Sequence, residues 1–161
     1  MKRLILIRHG KSSREHNVPD EKRPLKERAY KDASLVLKVF KEFQDEGPFI
    51  WSSPATRAHA TAKIFKEELN ISDDKFKLKK ELYTFEKQDL LAVLQTCPDE
   101  IETLMVFGHN PAMTGVVNSL GDKHFDNIPT TGLSVIDFEC DKWTKLENGK
   151  TLLHLFPKNL R

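Results

Sequence analysis

Two histidines, each closing an apolar run, carry the chemistry this sequence can offer. His9 ends Leu4-Ile5-Leu6-Ile7-Arg8-His9-Gly10, and His109 ends Leu104-Met105-Val106-Phe107-Gly108-His109 before Asn110-Pro111. A short apolar run that stops at a polar, glycine-containing step reads as a buried parallel strand entering a turn. In open α/β sheets, ligands sit outside the carboxyl ends of such strands. Two imidazoles and the guanidinium of Arg8 at two such ends suggest an anion site, and a phosphoryl group suits them. A neutral imidazole can attack phosphorus through one ring nitrogen while a hydrogen bond fixes the other, giving a covalent phosphohistidine. Arg8 can donate two parallel N–H bonds to phosphate oxygens, and Gly10 permits a sharp turn and close approach of a ligand.

A third element joins the pair. In Ser52-Ser53-Pro54-Ala55-Thr56-Arg57-Ala58, Ser53 suits an N-cap and Pro54 the first helical position. Arg57 then falls in the first turn of a helix running to about Leu69. Helical side chains lean toward the N-terminus, so its guanidinium can reach an anion at the helix end. His59 and Thr61 on the same helix read as structural. His109 precedes a helix capped by Asn110, where free backbone N–H groups favour negative charge, and an imidazolium there could donate to a phosphoryl oxygen. Each element alone has a bland explanation: a chance tripeptide, an arginine on a solvated face, a core histidine. Three anion-suited elements at three strand–helix junctions weigh against all of them.

Together, Arg8-His9-Gly10, Ser53-Pro54-x-x-Arg57-Ala58-x-x-Thr61-Ala62 and Gly108-His109-Asn110-Pro111 resemble the signature of the histidine phosphatase (phosphoglycerate-mutase-like) superfamily. Within it the chain is similar to the short SixA-type phosphohistidine phosphatases. That resemblance extends through Arg23-Pro24-Leu25, Ile128-Pro129-Thr130-Thr131-Gly132 and Phe156-Pro157-Lys158-Asn159-Leu160, over essentially the whole chain. It implies His9 as nucleophile and Arg8, Arg57 and His109 as the phosphate pocket, with Gly10 contributing and neither metal nor cofactor taking part. Lys11 departs from the pattern, where the group often has a smaller or acidic residue, and could alter substrate preference. Ala29 stands in place of a usual glycine and Ala60 in place of a common glutamine; both lie on helices and bear on packing. Larger superfamily members draw a proton donor from a region where this chain has Glu81 and Glu86. Glu81 is the candidate general acid, although a phosphohistidine leaving group needs little acid assistance.

The elements that must position these residues alternate along the chain. After the first strand, residues 11–24 show no periodicity and carry two prolines, a long connection that favours a site-lining loop. Leu25, Ala29, Ala33, Val36, Leu37 and Phe40 then fall at helical spacing. Phe49-Ile50-Trp51 forms a short strand before the Ser53 helix. In Lys75-Phe76-Lys77-Leu78-Lys79, lysines alternate with apolar residues, the pattern of a charge-protected edge strand. Residues 87–96 form a short helix, and Met113, Val116, Val117 and Leu120 give the apolar face of the helix after His109. Leu133–Phe138 and Thr151–Phe156 read as strands, with Asn148-Gly149 as a two-residue hairpin signal and Trp143 and Leu146 in the strand before it. The order predicts an α/β fold: a three-layer α/β/α domain over residues 1–161, with a mostly parallel central sheet and a C-terminal β-hairpin.

The 161 residues suffice for one domain with a sizeable core. No apolar stretch approaches the ~20 residues of a membrane span, and the apolar run after Met1-Lys2-Arg3 is too short for a signal peptide. Cys97 and Cys140 lack metal-ligand spacing and read as reduced thiols. A net charge of +2 gives no case for nucleic acid or membrane as a partner. The basic segment from Lys11 to Lys31 reads first as a solvated face. A cytoplasmic enzyme is the expectation: a metal-independent phosphatase acting through phospho-His9 on a phosphohistidine-bearing phosphocarrier protein. The alternatives are a phosphomonoesterase of small phosphorylated metabolites and a non-catalytic phosphate-binding module.

Overall fold

Strand β1 (Lys2–Arg8) is apolar on both faces and forms the centre of a six-stranded sheet. The computed structural model describes residues 1–44 and 46–161. In chain order the elements are β1, α1 (Glu27–Phe43), β2 (Phe49–Ser52), α2 (Thr56–Glu68), β3 (Phe76–Leu78), α3 (Lys87–Leu94), β4 (Thr103–Gly108), α4 (Ala112–Leu120), β5 (Leu133–Phe138) and β6 (Lys150–Leu155). Across the sheet the order is β3-β2-β4-β1-β5-β6. The β3–β2, β2–β4 and β4–β1 pairs are parallel, and β1–β5 and β5–β6 are antiparallel. The mostly parallel sheet, the three layers and the C-terminal pair of strands all match expectation.

Alternation along the central strands sorts the core into two slabs. Leu4 and Leu6 of β1 and Leu104 and Val106 of β4 face α3 and α4, packing with Leu90, Leu94, Met113, Val116 and Val117. Ile5 and Ile7, with Met105 and Phe107, face α1 and α2 and meet Ala33, Val36, Phe40, Ala62 and Phe65. The helix after β1 therefore covers one face and the helix after β4 the other. Between the carboxyl ends of β1 and β4 the connections diverge, leaving the crevice in which α/β sheets bind ligands. β3 is the short edge strand the lysine pattern predicts: Lys77 and Leu78 are exposed, and its residues pair only with β2 among the described elements.

Two local expectations change. Both helices expected to start at a Ser/Asn-Pro step begin later, at Thr56 and Ala112. Ser53 Oγ accepts from Ala55 N and Asn110 Oδ1 from Thr114 N, so each side chain organises the approach to its helix from outside it. The connection from β5 to β6 is also longer than a two-residue hairpin. Trp143 and Leu146 lie outside the strands, Trp143 opening a 3₁₀ turn at Trp143–Lys145. Its indole N–H donates to Ile101 O (2.8 Å) and its backbone N–H to Asp99 Oδ1 (3.0 Å), which draws the segment under the sheet. Gly149 serves close approach: a Cβ there would lie 2.5 Å from Ile136 Cγ2 and 2.7 Å from Leu120 O.

Trp143 is wholly buried, so Trp143→Ala should cost about 3–5 kcal/mol. Equilibrium urea unfolding measures this; a loss below about 1 kcal/mol would mean that the ring closes no part of the core.

Candidate active site

In-register pairing brings the two histidines together. Arg8 of β1 pairs with Gly108 of β4, so the next residue on each strand, His9 and His109, emerges side by side. Their ring centroids are 5.2 Å apart, close to the spacing of neighbouring strands. On the other side of β4, Ser52 pairs with Phe107, so Ser53 falls opposite Gly108, one residue before His109; Ser53 Oγ and His109 Nε2 are 2.8 Å apart. His9 and His109 are 8% and 1% exposed, and Arg57 3%.

The backbone around His9 is fixed from three sides. Gly10 N donates to Thr61 Oγ1 (2.9 Å), whose hydroxyl donates to Arg57 O (2.8 Å), tying β1 to the first turns of α2. The N–H of Thr131 is shared between Arg8 O and His9 O, at 3.0 and 3.1 Å. A Cβ on Gly10 would lie 2.8 Å from Ala29 Cβ, so α1 packs directly onto this turn. Thr61, expected to be structural, supports the site in this way. His59 faces Phe76 instead, with centroids 6.1 Å apart.

The His9 tautomer follows from its partner. Nδ1 lies 2.7 Å from Gly10 O, and a carbonyl oxygen only accepts, so Nδ1 carries the proton and Nε2 an open lone pair. Arg57 Nε sits 3.3 Å from that nitrogen. Burial is the main cause that lowers the His9 pKa to about 4, with Arg57, Arg8 and Arg23 adding to it against the Gly10 hydrogen bond. His109 is lowered to about 3, again chiefly by burial, then by His9 and Arg57. The imidazolium expected at His109 is therefore not its resting form, and the neutral ring has one N–H to donate. Its partner Ser53 is a hydroxyl and can donate or accept, so this ring can hold its proton on either nitrogen.

These residues line a cavity of about 330 Å³ together with Arg8, Lys11, Ser12, Arg14, Asp20, Arg23, Arg57, Phe85, Asn110 and Thr130. The loop of residues 11–24 supplies five of them and borders the site as expected. Arg8 Nη1 donates to Ile128 O (2.8 Å), while its buried Nε has no protein partner among the described residues. Arg8, His9, Gly10, Arg57 and His109 are thus brought together. Glu81 is not among them: it is exposed and lines a separate concavity with Thr84, Asp89 and Thr96. Glu86 is exposed at the start of α3. No group of three or more His, Cys, Asp and Glu side chains among the described residues could hold a metal ion.

One carboxylate that the sequence reading did not single out does reach the cavity. Asp20 Oδ2 accepts from Arg57 Nη2 (3.0 Å) and Tyr83 Oη (2.5 Å), and Oδ1 from Arg23 Nη1 (3.0 Å). Arg57 Nη1 also donates to Asp20 O (2.7 Å). The Tyr83 hydroxyl above all, then Arg57 and Arg23, hold the Asp20 pKa down to about 2 despite some desolvation. Tyr83 and Phe85 pack against His109, with centroids 5.3 and 5.5 Å away.

Residues 4–83, which carry β1, the loop and the Arg57 helix, match the model of the histidine phosphatase superfamily, branch 1. The chain belongs to the histidine phosphatase superfamily. Membership makes it a phosphatase-type enzyme. No curated protein sequence matches it. Among solved structures, the protein histidine phosphatase SixA complexed with tungstate is similar over 99% of both chains, with 19% identity and a TM-score of 0.80. A SixA-assigned chain from Agrobacterium tumefaciens covers 96% of this chain and 97% of its own, with 21% identity and a TM-score of 0.78. The mycobacterial glucosyl-3-phosphoglycerate phosphatase Rv2419c covers 94% and 97%, at 12% identity and a TM-score of 0.68. These likenesses are of fold.

The two buried imidazoles make stability depend on pH. A histidine whose pKa is lowered on folding stabilises fully above its unfolded value of about 6.5, and that contribution is lost as pH falls toward the folded value. Between about pH 7 and about pH 5, each ring should cost on the order of 1–2 kcal/mol. His59 and His154, less buried, shift the same way, so the comparison is with His109→Gln, which should lose less on acidification. Equal urea midpoints at the two pH values in the parent protein would mean that both rings titrate as in water.

Proposed function

We propose that this protein is a metal-independent phosphatase that hydrolyses phosphohistidine on a phosphocarrier protein through a covalent intermediate on His9. One observation carries the reading: Gly10 O holds the proton on Nδ1, leaving Nε2 unprotonated and facing the buried Arg57 in an open cationic cavity. That lone pair attacks phosphorus; the bond to the leaving nitrogen breaks and its electron pair stays on the leaving ring, which departs as neutral imidazole because its other nitrogen already carries a proton. Arg8, Arg57 and His109 hold the phosphoryl oxygens, where fixed donors act most strongly on developing charge. Water then attacks the phosphoenzyme and orthophosphate leaves.

The leaving group follows from the proton supply. Glu81 lies outside the cavity and Asp20 is ionised, so neither offers a proton to a departing alkoxide. A phosphohistidine nitrogen leaves without such help. The alternative substrate, a small phosphate ester, fits the same anion pocket and is decided by measurement. Phosphohistidine on a phosphocarrier domain should exceed a panel of sugar phosphates in kcat/KM by roughly tenfold or more, as general acid assistance contributes 10²–10⁴-fold where it is needed. Rapid quench should trap an acid-labile, base-stable phosphoenzyme that His9→Ala lacks. A sugar phosphate winning by an order of magnitude selects the small-molecule reading, and turnover by His9→Ala ends the covalent one.

Arg57→Lys tests the pocket. Lysine keeps the charge but loses the planar fork, and removing one fixed donor costs about 10²–10³ in rate. A kcat/KM within a few-fold of the parent would place Arg57 outside the chemistry.

A further inference from the structure

The cavity holds a carboxylate that the steps above leave without a role. Asp20 and His9 bind the same guanidinium: His9 Nε2 lies against Arg57 Nε, and Asp20 Oδ2 against Arg57 Nη2. A phosphoryl group on Nε2 that runs along this guanidinium ends beside Asp20. An in-line attack on that group comes from the side opposite Nε2, and Asp20 is the one carboxylate among the described residues that lines the cavity from which water must come. The carboxylate is also held in place, by Tyr83 on the oxygen that Arg57 binds and by Arg23 on the other. Its backbone carbonyl is tied to Arg57 as well, so the loop carrying it is fixed to the pocket.

We propose that Asp20 is the general base of the second step, taking a proton from the water that hydrolyses phospho-His9. This rests on the covalent reading given above. In that step the water oxygen bonds to phosphorus and the phosphorus–Nε2 bond breaks. Its electron pair returns to Nε2, restoring the neutral ring with its proton on Nδ1, and the water proton goes to an Asp20 carboxylate oxygen. Held ionised by a tyrosine hydroxyl and two arginines, the carboxylate is available to accept a proton from water, and it cannot serve the first step as an acid. The division of labour is therefore unequal. Phosphoenzyme formation needs a leaving group that departs unaided, while phosphoenzyme decay has a base of its own.

The test is single-turnover rapid quench with a phosphohistidine-bearing phosphocarrier domain carrying labelled phosphate, comparing the parent protein with Asp20→Asn. Formation of the phosphoenzyme should stay within about threefold, and its decay should slow by about 10²-fold or more, the lower range for general base catalysis. Label would then accumulate on His9. Adding formate to Asp20→Ala should accelerate decay of its phosphoenzyme and leave the parent unchanged, which a purely structural role would not produce. Decay at the parent rate in Asp20→Asn overturns the proposal. So does an equal loss in formation and decay, which would make Asp20 a positioning partner of Arg57. Absence of label from the parent protein itself overturns the covalent reading instead, so the two failures are distinguishable.

Discussion

The register of β1 against β4 is the constraint on which the site depends. Pairing Arg8 with Gly108 puts the histidines side by side at the centre of the sheet, and pairing Ser52 with Phe107 brings Ser53 opposite Gly108, within side-chain reach of His109. The same register sorts Leu4, Leu6, Leu104 and Val106 to one face and Ile5, Ile7, Met105 and Phe107 to the other. Side chains alternate with a period of two, so a slip of one residue would send both apolar sets to the wrong slab. The packing that stabilises the protein therefore also fixes the geometry of the cavity. That coupling explains how an open-ended crevice can hold two imidazoles at a defined separation without a dedicated scaffold.

Electrostatics complete the arrangement. Four arginines line the cavity; Arg14 is exposed, and the buried or half-buried charge of the other three is tolerated only where hydrogen bonds replace water. Arg8 finds Ile128 O, Arg23 finds Ser13 O and the Ser12 hydroxyl, and Arg57 finds Asp20. Burial first, and Arg57 and Arg8 after it, lower the pKa of both imidazoles and favour their neutral forms. Neutrality matters differently at the two rings. At His9 the carbonyl of Gly10 selects one tautomer, while at His109 the hydroxyl of Ser53 selects neither. A ring with a fixed lone pair suits the proposed attack on phosphorus, and a ring able to relocate its proton suits donation to an oxygen whose charge changes.

Much of this was legible in the residues. The apolar runs ending at His9 and His109 were strands, and the alternation of strand and helix gave the layered architecture. Arg8, His9, Arg57 and His109 were recognisable because each sits at a strand end or helix start, where local pattern determines position. Asp20 was not, because it lies in the aperiodic stretch 11–24 and reaches the cavity only through a loop tied down at Leu25 and Lys26. Glu81 and Asp20 are both carboxylates in short 3₁₀ turns, and only the tertiary fold tells which one meets the arginines. The Asn148-Gly149 signal misled for a related reason. Gly149 answers to the proximity of Ile136, Phe138 and Leu120, contacts remote in sequence, while Trp143 is drawn from the strand by partners at Asp99 and Ile101.

Arg57 has a further implication. All three of its guanidinium nitrogens already contact protein, through His9 and through the carbonyl and carboxylate of Asp20. An oxyanion reaching this guanidinium thus shares it with an internal ligand of the same sign and gains less than it would at an unpaired arginine. Such a pocket is shaped before anything enters it, yet it grips weakly. Free orthophosphate should have a short residence time, because the Asp20 carboxylate stays on the same arginine and offsets its charge.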